Sequence, residues 1–366
     1  MQINLFLIPF VIVLGLLLAQ NDNKKSRMIY IVLCSAVLAF IAAMRSPVWM
    51  TNTYQIDTLN YLYVFESASD MSWDDLFSFA HSRYVGKQDD ADVGFLFFTK
   101  LIGLFTHDFY IYSLIADLFF FVPFGILLYR YCTSIRQIMF AYVFFIAMLL
   151  VFFFGGARQI FSIGFDMMAL LAIIDKKRFR AIVFFSLGVL LHFSSLLFIA
   201  PILIIWYNVN PKVLKRLHVV SFGLLPIVAA FANLFIFFLA DTSGLEKYQN
   251  YASGNLVGAI TFVLLIELVS FFCYVAIKER DMLHNKVLQD FYVMIPFFTI
   301  FGLLSYGSLI RISLYFHLYI AVLVPFAIDC MFTPRNRRIA YVLAIGVLAF
   351  LAMVNTGMTY YFYWQK

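Results

Sequence analysis

Long unbroken apolar runs, separated by short clusters of charge, set the pattern of this chain. Residues 3–19, 28–44 and 339–355 are each one run of single-span length, while 138–174, 218–277 and 288–331 are each long enough to cross a bilayer and return. A helix crosses the ~30 Å hydrocarbon core with about 20 apolar residues. The runs lack the alternation of a membrane β-strand, so they predict helices and not a barrel. Turns are expected at Gly155-Gly156 and near Tyr306-Gly307-Ser308, and a polar loop at 241–255. The expected fold class is all-α: a polytopic helical membrane protein of about 12 spans. The apolar start, Met1 to Ala19, has no basic leader and no small-x-small cleavage site, and reads as a first helix.

Three stretches depart from simple spans. Residues 181–206 must cross twice in 26 residues, against about 40 for two full crossings, so two short helices are expected to meet partway in, near His192. Residues 93–106 are apolar but short, and are expected to form a re-entrant or interfacial helix, with a true span as the competing reading. Residues 45–92 scatter Trp49, Tyr54, Tyr61, Tyr63, Phe65, Trp73, Phe77 and Phe79 among polar positions, which predicts interfacial helices in a non-cytoplasmic loop. The whole of 1–366 is read as a single integral membrane domain.

Composition agrees with the pattern. The chain is 64% hydrophobic and 13% charged, against about 45–50% and about 25% in soluble domains. The net charge of +6 reports topology and not nucleic-acid binding, because Lys and Arg gather in cytoplasmic loops. Eighteen of the 26 fall into six clusters, at 24–27, 130–136, 176–180, 212–216, 278–286 and 335–338. With these inside, 45–92 lies outside, and its eight acids against three basic residues fit that side. Cys34, Cys132, Cys273 and Cys330 lie in or beside apolar runs without metal-ligand spacing and read as packing residues.

Eight cations remain outside the clusters, and three of them, Arg45, Arg158 and Arg311, stand at outer span ends. One such arginine can simply snorkel to headgroups. Three at one depth suggest an anion site, since the guanidinium fork binds phosphate oxygens in pairs at any relevant pH. A lipid-linked pyrophosphate is the natural ligand. His192 interrupts an apolar run where the chain must reverse, and a neutral imidazole there can accept a proton from a sugar hydroxyl. Asp57 and Tyr61 share a face if helical, for orienting or deprotonating a hydroxyl and for stacking on a sugar; Arg311 and Tyr315 repeat the spacing. Asp117, Asp166 and Glu267 lie inside spans and are read as inter-helix bonds. There is no phosphate-cradling Gly-rich loop, HExxH or Asp-x-Asp pair, so neither nucleotide nor metal is expected.

The order of these residues is Arg45, Asp57-Thr58-x-x-Tyr61, Asp92-Val93-Gly94-Phe95, Gly156-Ala157-Arg158-Gln159, His192-Phe193-Ser194-Ser195 and Arg311-Ile312-Ser313-x-Tyr315-Phe316. It resembles the EpsG-like branch of Wzy-type polysaccharide polymerases, the multi-span enzymes of O-antigen, capsule and exopolysaccharide assembly. The likeness covers residues 40–320, and Asp92 stands where such proteins often carry glutamate. The resemblance implies a GT-C-like fold in the bacterial inner membrane with an active periplasmic or extracellular face. It implies transfer of a glycan from undecaprenyl pyrophosphate onto another lipid-linked oligosaccharide repeat, with no cofactor. Partners would be those lipid-linked oligosaccharides, the bilayer, and a flippase and chain-length regulator of the same pathway. The implied roles are pyrophosphate binding by Arg45, Arg158 and Arg311, acceptor activation by His192 or Asp57, and substrate positioning by Tyr61, Gln159 and Tyr315. Two rival readings stay open: a GT-C glycosyltransferase or ligase adding a single unit from a polyprenyl-linked donor, and a transporter or flippase using the buried acids as an ion relay.

Overall fold

Short polar residues set the starts of several helices. Asn23 accepts from Ser26 N–H at 2.9 Å and caps α2, Lys24–Ala43. Asp108 takes the N–H groups of Tyr110 and Ile111 at 2.7 and 3.0 Å and caps α6, Phe109–Tyr131. Ser134 caps α7, Ile135–Phe144, through Gln137 N–H. Each satisfies donors that the first helical turn leaves unpaired. The remaining helices are α1 (Asn4–Leu18), α3 (Ile56–Asp70), α4 (Trp73–Gly86), α5 (Val93–Gly103), α8 (Leu150–Phe154), α9 (Ala157–Ile174), α10 (Arg178–Leu191), α11 (Ile199–Trp206), α12 (Ile310–His317), α13 (Ile320–Met331) and α14 (Pro334–Val354). A π-helical turn at Phe145–Leu149 joins α7 to α8 into one rod. These come from a computed structural model that describes residues 3–46, 56–86, 93–210, 310–354 and 360–364 and scattered positions between 213 and 294, with backbone alone at 56–57, 83–86, 310–313 and 354.

Among the described residues, seven helices are long and apolar enough to cross a membrane: Asn4–Asn21, Lys24–Ala43, Phe109–Tyr131, Ile135–Phe154, Ala157–Ile174, Leu314–Met331 and Pro334–Met353. Six of the seven lie in runs expected to span; Phe109–Tyr131 lies between the short apolar stretch at 93–106 and the cationic cluster at 130–136, outside those runs. The expected spans within 218–277 and 288–306 fall outside the described residues, apart from a few positions. Leu16, Leu17, Val122, Val342 and Leu343 are exposed on these helices, as lipid-facing residues must be. α5 has 11 residues and rises about 16 Å, half of what the ~30 Å core requires.

The chain divides into two units, Met1–Ile199 with Tyr341–Lys366, and Ala200–Ala340. In the first, phenylalanines do the packing between α6 and the α7–α8 rod: Phe120 and Phe121 both meet Phe153, with ring centroids 5.0 and 5.1 Å apart. Gly164 lets α9 close on α6, since a Cβ there would stand 2.1 Å from the Phe119 carbonyl oxygen.

This unit has two chemically opposite ends. At one, Arg27 donates to Cys132 O at 3.2 Å, and Asp22 pairs with Arg27 at 3.6 Å and accepts from Ile135 N–H at 3.0 Å. Arg130 reaches Asp175 at 2.6 Å, and Lys177 reaches it at 3.4 Å. Three of the six cationic clusters therefore meet at one end, as a shared cytoplasmic side requires. At the other end, Ser46 N–H donates to Tyr361 O at 2.8 Å and Tyr363 N–H to Met44 O at 3.1 Å. The C-terminal aromatic segment is thus stitched to the end of α2 on the side away from the clusters. In the second unit, α12 leads into α13, and Tyr315, His317 and Tyr319 are buried. Arg337 Nε caps the end of α13 by donating to Phe332 O at 2.8 Å.

Candidate functional site

Arg45 follows the last turn of α2 and is 4% exposed. Its Nε donates to Thr58 Oγ1 at 3.2 Å, and its Nη1 donates to Ala42 O. Thr58 Oγ1 in turn donates to Phe154 O at 3.3 Å, and the guanidinium carbon stands 5.8 Å from the Phe154 ring centre. These bonds use two of the five guanidinium N–H donors. A snorkelling arginine would lie exposed among headgroups; this one is drawn into protein where α2, α3 and the end of α8 meet. Thr58 was not among the expected site residues, although it stands inside the Asp57-Thr58-x-x-Tyr61 motif that was its only signal.

α3 covers both Asp57 and Tyr61, so the expected four-residue spacing on a helix holds; the Asp57 side chain lies outside the described residues. Tyr61 is buried, its ring 5.7 Å from that of Phe95, edge to face. Phe154 O closes α8, Gly155 and Gly156 turn the chain, and α9 begins at Ala157. Arg158 and Gln159 therefore sit in the first turn of α9, half-buried and buried, at the same end as Arg45.

His192 ends α10 in an extended conformation, φ −156° and ψ 115°. A 3-10 helix, Phe193–Phe198, follows at once, so the helix breaks at the expected residue. α9 and α10 are antiparallel, with Ser162 Oγ donating to Gly188 O at 2.9 Å. One turn beyond Gly188, His192 therefore stands level with the first turn of α9, where Arg158 and Gln159 lie. Gly94 of the Asp92-Val93-Gly94-Phe95 motif has its reason here: a Cβ on it would come 2.2 Å from the Leu190 carbonyl oxygen, so only glycine lets α5 lie against the last turn of α10. Asp92 lies outside the described residues.

One apolar cluster joins these pieces. Tyr61, Phe95, Tyr112, Ala116, Phe161 and Leu191 belong to it, and Ala157 packs against it. Arg158, His192 and Asp117 each follow a member or neighbour of that cluster in the chain. The two described buried acids differ. Asp166 accepts from Ser195 Oγ, 2.8 and 2.7 Å from its two carboxylate oxygens, which is an inter-helix bond as expected. Asp117 is 4% exposed and its Oδ2 has no hydrogen-bond partner among the described residues; the Arg45 guanidinium acts on it electrostatically. Glu267 lies outside the described residues.

Beside Arg45, Tyr360 donates its hydroxyl to Ile41 O. Burial pushes this phenol above its ordinary value, so it stays a donor at any physiological pH. Arg311 and Tyr315 both fall within α12, which gives them the expected helical spacing. The Arg311 side chain lies outside the described residues, and Tyr315 is buried within the second unit. Among the described residues, no three His, Cys, Asp or Glu side chains form a metal-ligand group.

Compared with known proteins, residues 28–365 match the sequence model of one family, the EpsG family. No curated protein matches the chain, and no solved structure does.

Proposed function

Because the chain belongs to the EpsG family, membrane proteins of exopolysaccharide biosynthesis, we propose that it is a Wzy-type polysaccharide polymerase. In this reading it moves a growing glycan from undecaprenyl pyrophosphate onto a hydroxyl of another lipid-linked repeat, at the outer face of the cytoplasmic membrane. The bond between the glycan C1 and the pyrophosphate oxygen breaks, and a bond from C1 to the acceptor oxygen forms. The acceptor proton goes to His192 or Asp57, and undecaprenyl pyrophosphate departs. Arg158 and Arg311, with Arg45 assisting, hold the pyrophosphate and take up the charge that grows on it as the bond breaks. Tyr61, Gln159 and Tyr315 position substrate. The leaving group supplies the driving force, so the reading needs neither nucleotide nor metal.

The observation that carries this reading is Arg45. A cation buried in protein, held by Thr58 and Ala42, and with N–H donors that no described residue takes is a costly arrangement unless an anion uses it. Purified protein incubated with a lipid-linked repeat is expected to yield a polymer ladder. A product one unit longer would favour the single-addition transferase, and movement of lipid-linked glycan across vesicles without new bonds would favour the transporter. Arg158→Ala and Arg311→Ala should each abolish long chains while the protein still inserts. Lysine should not replace either, because it lacks the bidentate fork. Normal polymer length in both alanine variants would overturn the assignment.

A further inference from the structure

We propose that Asp166 and Ser195 are positioning residues for His192, holding the break between α10 and the following 3-10 helix so that the imidazole keeps one orientation. The functional half of this rests on the polymerase reading above, in which His192 takes up a proton; the geometric half does not.

Nothing local obliges the helix to stop at Leu191. The residues after it, His192-Phe193-Ser194-Ser195-Leu196-Leu197-Phe198, contain neither proline nor glycine. The break lies between two local bonds, and tertiary bonds from α9 anchor both of its sides. His192 N–H donates to Gly188 O at 3.0 Å, and His192 O accepts from Ser195 N–H at 2.9 Å, so both sides of the histidine backbone are fixed. Gly188 O is fixed in turn by Ser162 Oγ at 2.9 Å. Ser195 Oγ lies 2.8 and 2.7 Å from the two Asp166 oxygens. Ser162 and Asp166 both belong to α9, the helix whose first turn carries Arg158. The histidine corner is thereby registered against that turn.

The arrangement has no room to relax. Ser162, Asp166 and Ser195 are 0, 1 and 0% exposed. A Cβ on Gly188 would stand 2.8 Å from Asp166 Oδ1 and 2.9 Å from Ser195 Oγ, so the pair occupies the space a side chain would need. An acid buried this deeply between spans is expensive, and apolar residues of similar volume would pack more cheaply. Its return is conformational: one carboxyl selects one hydroxyl and hence one path for the chain past His192.

Two readouts on the full-length membrane protein test this. The first is the rate at which diethyl pyrocarbonate modifies His192, followed by mass spectrometry of its peptide. Ser195→Ala should change that rate several-fold. Asp166→Ala should do the same. Asp166→Asn should not, since the amide keeps an acceptor and a polar partner for Ser195 Oγ. Unchanged labelling in both Ser195→Ala and Asp166→Ala, or identical behaviour of Asp166→Asn and Asp166→Ala, would overturn the proposal even if one variant inserts poorly. The second readout is elongation. Ser195→Ala should lower kcat by about 100-fold, as a displacement of ~1 Å does, with KM for the lipid-linked repeat nearly unchanged. In a His192→Ala background the same change should cost nothing more. Additive losses would mark Ser195 as merely structural. If His192→Ala alone leaves elongation intact, the acceptor-base reading fails, and the labelling result still decides the positioning.

Discussion

An arginine at the end of a span has two possible fates, and burial separates them. Arg45 is held at both its Nε and its Nη1, inside protein, where a headgroup-seeking side chain would not be. The acids divide in a similar way: Asp166 is spoken for by Ser195, and Asp117 keeps an oxygen that no described residue satisfies. At the opposite end, a hydrogen bond from Arg130, and then its charge, hold Asp175 below the ordinary carboxylate value. A depressed acid contributes stability above its unfolded value of ~3.9 and loses it as pH falls through the folded one. Arg130→Gln should therefore lower the thermal midpoint in detergent at neutral pH. The gap from the parent protein should close as pH drops below that value, and it should be small because the pair is partly exposed. A gap that persists unchanged in acid would show that Arg130 acts otherwise. The candidate residues could be picked out in the sequence because charge inside an apolar run is conspicuous. Thr58 and Ser195 stood in the same motifs but carried no role there, because a hydroxyl in a membrane helix is common and only its partner gives it meaning.

At the scale of elements, run length predicted where helices lie and where one must break. Too few residues between 181 and 206 pointed to a discontinuity, and the break stands at His192. Helical spacing also joined Asp57 to Tyr61 and Arg311 to Tyr315 in advance. The approach of α5 to α10 was not legible, because it depends on the absence of an atom at Gly94 and on a carbonyl almost a hundred residues away in the chain. Gly94→Ala must push α5 off the last turn of α10. It should destabilise by about 1–3 kcal/mol, the usual cost of overpacking, read as a lower unfolding midpoint. An unchanged midpoint would mean that the two helices have slack at this point.

For the whole molecule, the distribution of charge implies sidedness. Three cationic clusters converge at one end of the first unit, and the Tyr360–Trp364 segment joins the end of α2 at the other. In intact cells a membrane-impermeant maleimide should label Tyr363→Cys, an exposed position, and should reach Lys177→Cys only after the membrane is opened. Labelling of both in intact cells, or the reverse pattern, would invert or refute the topology.

The sequence by itself determined the solvent this protein lives in, the helical class and the side on which cations gather. Those properties follow from summed hydrophobicity and from rules that act on short stretches of chain. Tertiary structure decided which polar residues are partnered, which glycines are places of contact, and that Arg45 is a buried group and not a surface anchor. A hydrogen bond joining Arg45 to Thr58, or Ser195 to Asp166, depends on distances between helices that no local pattern encodes.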